Sequence, residues 1–144
     1  MPEGGSDVRA LVVDASTALG FLMGDERPSQ AVRAIEALER GVPMWVPSHW
    51  ALEVANGMLT AERRRRISRA DATEALDVLG QLPIETDGET GRRAAGETTA
   101  LARQYGLTIY DAAYLELALR RGAALATTDA ALAKAARKAG AEVV

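Results

Sequence analysis

Four carboxylates stand where a strand is expected to end or a helix to begin, and an acidic pocket is the chemistry their placement suggests. Asp14 stops the apolar run Ala10–Val13 and is followed by small and hydroxylated residues. Asp129 repeats that pattern after Leu125-Ala-Thr-Thr128. Glu53 lies in the first turn of a helix expected from His49 to about Arg65, and Asp111 in the first turn of another expected from Tyr110 to Arg121. Asp111 shares a helical side with Tyr114, Leu115 and Ala118, and an unpaired carboxylate on such an apolar face is costly unless it is neutralised, capped or bound to a cation. Each acid also has an ordinary reading: Asp14, Asp111 and Asp129 as helix caps, Glu53 as a solvated residue favoured by the helix dipole. Gathered at one edge with no lysine among them, the four would raise one another's pKa values. A hard divalent cation, Mg²⁺ or Mn²⁺, answers that repulsion; it takes oxygen ligands and shares its remaining positions with water and phosphate. The matching chemistry is metal-assisted attack of water on a phosphodiester.

The elements around these acids predict how they would meet. Short strands are expected at Ala10–Val13, Pro43–Pro47, Pro83–Thr86 and Ala123–Thr127, with a terminal edge strand at Glu142–Val144. Uninterrupted apolar runs of this length suit strands buried on both faces of a parallel sheet, whose ligands bind beyond the strands' carboxyl ends. Helical stretches lie between them: Thr17–Gly24, Pro28–Arg40, the Glu53 helix capped by Ser48, one opened by Ser68, Glu89–Tyr105, Tyr110–Arg121 and Ala130–Ala139. Alternation of this kind predicts a three-layer α/β/α sandwich around a mainly parallel sheet. In the Glu53 helix the expected apolar stripe is Ala51, Leu52, Ala55, Met58 and Leu59, with Glu53 on its flank beside Asn56 and Thr60.

Composition narrows the chemistry further. The 144 residues suit one domain, residues 8–144, preceded by a flexible lead-in over residues 1–7. There is no cysteine and one histidine, His49, so disulfides and thiolate chemistry are excluded and any metal site is built mainly from oxygen. His49 reads as a surface residue or one standing behind the site, since it has no partner for a hydrolase triad. No apolar run reaches membrane-spanning length and the N-terminus lacks a signal-like segment, so a cytoplasmic protein with no membrane partner is expected. The net charge of −3 is unlike a general nucleic-acid binder. A bound cation inverts the sign of an acidic pocket, however, so an RNA partner stays open. Arg63, Arg64, Arg65 and Arg66 form the one basic cluster; four consecutive residues fan around a helix, so only one or two would grip RNA phosphates. Trp45 and Trp50 flank the second strand as core or dimer contacts.

The strings V-V-D-A-S-T-A-L around Asp14, E-V-A-N at Glu53–Asn56, Y-D-A-A-Y-L-E-L-A at Tyr110–Ala118 and L-A-T-T-D-A-A-L at Leu125–Leu132 together resemble the four acidic motifs of PIN domains. The resemblance runs from Val8 to Val144 and is nearest to VapC-type toxins, the ribonuclease partners of type II toxin–antitoxin pairs. It implies that Asp14, Glu53 and Asp111 hold the catalytic metal and that Asp129 completes the site or helps bind a second ion. It also implies that Ser16 and Thr127 orient carboxylates or water, and that Asn56 is the glutamate's polar neighbour. Homodimers, and a cognate antitoxin protein whose C-terminal segment covers the site, are further implications. Two rival classes remain: a catalytically silent PIN-like protein-binding module, and another acidic-pocket phosphohydrolase. A dehalogenase-like phosphatase lacks its second aspartate, because Ser16 holds that place. No dinucleotide or P-loop glycine pattern is present.

Overall fold

Four short parallel strands form the centre of the computed structural model, which describes residues 8–23 and 27–144. They are β1 (Leu11–Val13), β2 (Met44–Val46), β3 (Ile84–Thr86) and β4 (Ala124–Ala126), in the order β3-β2-β1-β4. In register, Leu11 pairs with Met44 and Ala124, and Met44 with Ile84. All three residues of β1 are buried, as are those of β4, which is why both read as unbroken apolar runs. The expected edge strand at 142–144 is a single bridge, Leu125 to Val143, because only two backbone hydrogen bonds form there.

Between β1 and β2 lie α1 (Ala15–Leu22) and α2 (Ser29–Glu39), and between β2 and β3 lie α3 (Trp50–Arg63) and α4 (Arg69–Gln81). From β3 the chain continues through α5 (Thr90–Arg93), a π-helical segment (Ala94–Thr98), α6 (Thr99–Tyr105) and α7 (Ile109–Arg121) to β4, and α8 (Ala130–Lys138) follows. The chain steps one way along the sheet to reach β3 and the other way to reach β4. Right-handed crossovers therefore set α1–α4 on one face and α5–α7 on the other, the three-layer α/β/α arrangement. Helix α7 packs on β1 and β4 and α2 packs on the same pair. Tyr114, Leu115 and Leu117 of α7 meet Leu11, Val12, Leu125 and Leu132 in the core.

Several boundaries differ from the sequence reading for identifiable reasons. Helix α1 starts at Ala15, two residues early, because Asp14 caps it; Gly24, its expected end, lies outside the described residues, as does the lead-in at 1–7. Helix α3 is capped by the His49 backbone rather than by Ser48, whose N–H donates to Thr90 Oγ1 at 3.0 Å. The inward face of α3 is Trp50, Val54, Met58 and Ala61, of which Met58 alone belongs to the expected stripe, and Leu52 is 75% exposed. The phase moved because Trp50, expected as a core or dimer contact, is in the core and is the first buried anchor of the helix. Glu89–Tyr105 was expected as one helix and is interrupted where the Thr99 hydroxyl donates to Ala94 O at 2.7 Å, a side-chain bond that competes with the regular ladder. Ser68 caps α4 as expected, accepting from Asp71 N–H at 3.0 Å. Among the described residues no helix is long and apolar enough to cross a membrane.

Candidate active site

Asp14 is the residue on which the sheet's carboxyl edge converges. It follows β1, is buried, and its N–H donates to Ala126 O across to β4. Asp14 Oδ1 accepts from Ser16 Oγ at 2.8 Å and from Thr17 N–H at 2.9 Å, while Oδ2 accepts from the Thr127 hydroxyl. The helix-cap reading of Asp14 thus holds together with a place in the acid cluster. Thr127, the first residue after β4, is buried, and its Oγ1 also accepts from Asp129 N–H at 2.9 Å. Thr128 N–H donates to Ser16 Oγ at 3.2 Å, so the two strand ends are laced together by hydroxyls.

The other acids arrive on helices. Because α3 begins just after β2, Glu53 in its first turn lies at the same edge. Helix α7 runs down to the start of β4, so its first turn, with Asp111, also sits at the carboxyl edge. Asp111 does not cap α7. Thr108 does, accepting from Asp111 N–H at 3.1 Å, which frees the Asp111 carboxylate. Burial raises the Asp111 pKa, and the charges of Asp129, Glu53 and Asp14 raise it further against a smaller opposing effect of His49. The other three carboxylates thus stand near enough for their charges to bear on Asp111. Asp129 is exposed and caps α8, its Oδ1 accepting from Ala131 N–H at 2.9 Å and Leu132 N–H at 3.1 Å.

The four share an edge without sharing a coordination shell. Among the described residues, no three Asp, Glu or His side chains stand close enough together to hold an ion as they are placed. The hydrogen bonds explain this: Asp14 is turned toward its hydroxyls, Asp129 toward α8, and Glu53 Oε1 accepts from the Tyr114 hydroxyl. The donor chemistry nonetheless suits a hard cation. All four are oxygen donors, and among the described residues the one basic group within 4.0 Å of any of them is His49, whose Nε2 lies 3.6 Å from Glu53 Oε1. His49 is half-buried, and since a carbonyl only accepts, its Nε2 carries the hydrogen donated to Tyr110 O at 3.1 Å.

Some candidates lie apart from this cluster. Asn56 is exposed on α3, one turn beyond Glu53. The arginines do not fan around a helix: α3 ends at Arg63, and Arg65 takes a left-handed φ of 59° in the turn that follows. All four are exposed, and ten residues of helix put Arg63 about 15 Å along the axis from Glu53. Trp50 is core, while Trp45 carries the Arg121 guanidinium 3.4 Å above its ring. Two participants escaped the sequence reading. Thr108 stands three residues before Asp111, which is a capping spacing, and Tyr114 three residues after it, on the same helical face.

A sheet of this order with an acidic carboxyl edge defines a class, and the PIN domain family matches residues 11–138: the chain belongs to the PIN-domain family. Several of its relatives are named VapC ribonucleases. Ribonuclease VapC3 of Pyrobaculum aerophilum is 32% identical over 124 residues, covering 86% of this chain and 92% of that protein. Ribonuclease VapC3 of Mycobacterium tuberculosis is 33% identical over 125 residues, 87% of this chain and 86% of that one. In fold, PAE2754 from Pyrobaculum aerophilum superposes with a TM-score of 0.67 at 24% identity, covering 94% of this chain and 83% of its own. Mycobacterium tuberculosis VapC20, a sarcin-ricin loop cleaving toxin, does so with a TM-score of 0.61 at 16% identity, over 88% and 95%.

Proposed function

We propose that this chain is a metal-dependent endoribonuclease that hydrolyses RNA phosphodiesters as the toxin of a toxin–antitoxin pair. The observation that carries the reading is geometric: Asp14, Glu53, Asp111 and Asp129 all stand at the carboxyl edge of the sheet, and among the described residues no lysine or arginine pairs with any of them, in a chain whose relatives are named VapC ribonucleases. Asp14, Glu53 and Asp111 would hold the cation, Mg²⁺ or Mn²⁺, and Asp129 would complete the set. When bound, such an ion activates water and neutralises charge on the phosphate. Ser16 and Thr127 keep the Asp14 carboxylate in one orientation, and Thr127 links it to Asp129. Asn56, exposed on α3 one turn beyond Glu53, is the glutamate's polar neighbour. Arg63, Arg64, Arg65 and Arg66 form no ion pair among the described residues, and they serve as phosphate contacts away from the acids. The family resemblance supports a cytoplasmic homodimer held in check by a cognate antitoxin.

The test is cleavage of single-stranded and hairpin RNA by the purified full chain. Activity is expected with Mg²⁺ or Mn²⁺ and none in chelator. Undiminished cleavage in chelator would sink the metal-nuclease reading, and a metal-bound protein that never cuts RNA would favour a silent binding module.

A further inference from the structure

Beneath the four acids lies a hydroxyl that the proposed reaction leaves without a role. Tyr114 stands one turn after Asp111 on α7, is 1% exposed, and donates its phenolic hydrogen to Glu53 Oε1. Its ring meets the edge of His49 at 5.2 Å between centroids, and His49 Nε2 lies 3.6 Å from the same Glu53 oxygen. Oε1 is therefore flanked by two residues, whereas none of the described residues donates to Oε2.

A glutamate in the first turn of a helix, about a third exposed, has three torsions to settle and little to settle them. Tyr114 has two, both fixed by the packed core around its ring. The direction of the proton is also settled. A carboxylate oxygen only accepts, so the phenolic hydroxyl is the donor in this pair. Burying a hydroxyl costs free energy unless it is partnered, and a phenylalanine would fill the same core without that demand. The partner it has is a carboxylate of the acid cluster rather than a backbone carbonyl.

We propose that Tyr114 is a positioning residue: its hydroxyl anchors Glu53 Oε1 so that Oε2 is the oxygen offered to a divalent cation. This rests on the metal-nuclease reading above, and it concerns how tightly the ion is held rather than which bond is cut. Partners standing behind a ligand typically change metal affinity by about 10–100-fold when removed.

The experiment measures Mn²⁺ binding by calorimetry on the full chain in four forms: wild type, Tyr114→Phe, Glu53→Gln and the double variant. Tyr114→Phe keeps the ring, so its metal-free melting temperature is expected to stay close to wild type while its Mn²⁺ affinity falls by about tenfold to a hundredfold. In cleavage assays its kcat at low Mn²⁺ is expected to fall by a similar factor, to recover as Mn²⁺ is raised, and to leave the KM for RNA unchanged. In the Glu53→Gln background the tyrosine substitution should do nothing more. Equal Mn²⁺ affinity in wild type and Tyr114→Phe overturns the inference and leaves the nuclease reading standing, as does an effect that persists undiminished with Glu53→Gln. A wild-type protein that binds Mn²⁺ through Tyr114-supported Glu53 but cuts no RNA removes the nuclease reading alone, and one that binds no Mn²⁺ removes both.

Discussion

Strands β1 and β3 both end in an aspartate, Asp14 after Val13 and Asp87 after Thr86, and both aspartates are buried at the same edge of the sheet. What surrounds them is opposite in kind. Asp14 is held by hydroxyls and a backbone N–H, with three further carboxylates at its edge and, among the described residues, no arginine paired with it. Asp87 receives both ends of the Arg120 guanidinium, Nη1 to Oδ1 at 2.9 Å and Nη2 to Oδ2 at 2.8 Å. Arg120 simultaneously grips Glu116, Nε to Oε2 at 2.8 Å, and Arg93 Nη1 stands 3.5 Å from the same Glu116 oxygen. Arg120 holds the Asp87 carboxyl below its usual range despite the burial, whereas Asp111 is pushed up. One region is a finished ion network; the other is an anionic edge with no lysine or arginine paired to its acids among the described residues. The position of an acid at a strand end is therefore common to both, and the charge of its neighbours separates a structural clamp from a site.

The largest expected difference between the two regions is in rate. Asp14→Asn, Glu53→Gln and Asp111→Asn should each cost several orders of magnitude in RNA cleavage, non-additively because they would empty one shared site, whereas Glu116→Gln should retain turnover in whatever fraction stays folded. Near-normal cleavage by Asp14→Asn would erase the distinction.

Stability should divide the other way. Arg120→Met leaves buried Asp87 and Glu116 only the longer contacts to Arg121 at 3.6 Å and Arg93 at 3.5 Å, and a loss of up to about 3–5 kcal/mol is expected, measurable by urea unfolding. Adding Asp87→Asn and Glu116→Gln should recover much of that loss. By contrast, Asp111→Asn should leave metal-free stability equal or higher, since it removes a repelled charge. A clear fall in its melting temperature would mark Asp111 as a structural residue.

The pH dependence of metal-free melting should show the two signs separately. Asp87, with a depressed folded pKa, contributes stability that is present above its unfolded value of about 3.9 and lost as pH falls through the folded value. Asp111, with a raised folded pKa, binds a proton more readily when folded, so its contribution declines as pH rises from about 3.9 through the raised value. Asp111→Asn should abolish the second trend and leave the first. The smallest effect belongs to Asp129, which also caps α8: Asp129→Ala should cost about 1 kcal/mol of stability and Asp129→Asn almost none. An equal loss in both would mean that the charge, not the cap, holds that end of the helix.

Much of this was legible in order along the chain. The apolar runs ending in Asp14 and after Leu125, the proline-bounded β2, and the glycines after α6 and α7, which take φ of 66° and 61°, are local signals, and they predict the strands and helix ends. The four acids could be named because each stands at a boundary between such elements. Local pattern misled where two alternatives had similar periodicity. Of the stripe expected for α3, Met58 is buried but Leu52 and Leu59 are exposed, and Trp50 and Val54 are buried in their place, a rotation decided by packing against α1, where Gly57 faces Leu19.

The sequence by itself determined which residues stand at the carboxyl edge, because strand, turn and helix start follow from spacings of a few residues. Only the tertiary structure decided what each acid faces. Arg120 reaches Asp87 across 33 residues of chain, Tyr114 reaches Glu53 across 61, and Thr127 reaches Asp14 across 113. Electrostatic neighbourhood falls off within a few ångströms in space and has no period in sequence, so the balanced carboxylates and the unbalanced ones could be told apart only once the helices were packed on the sheet.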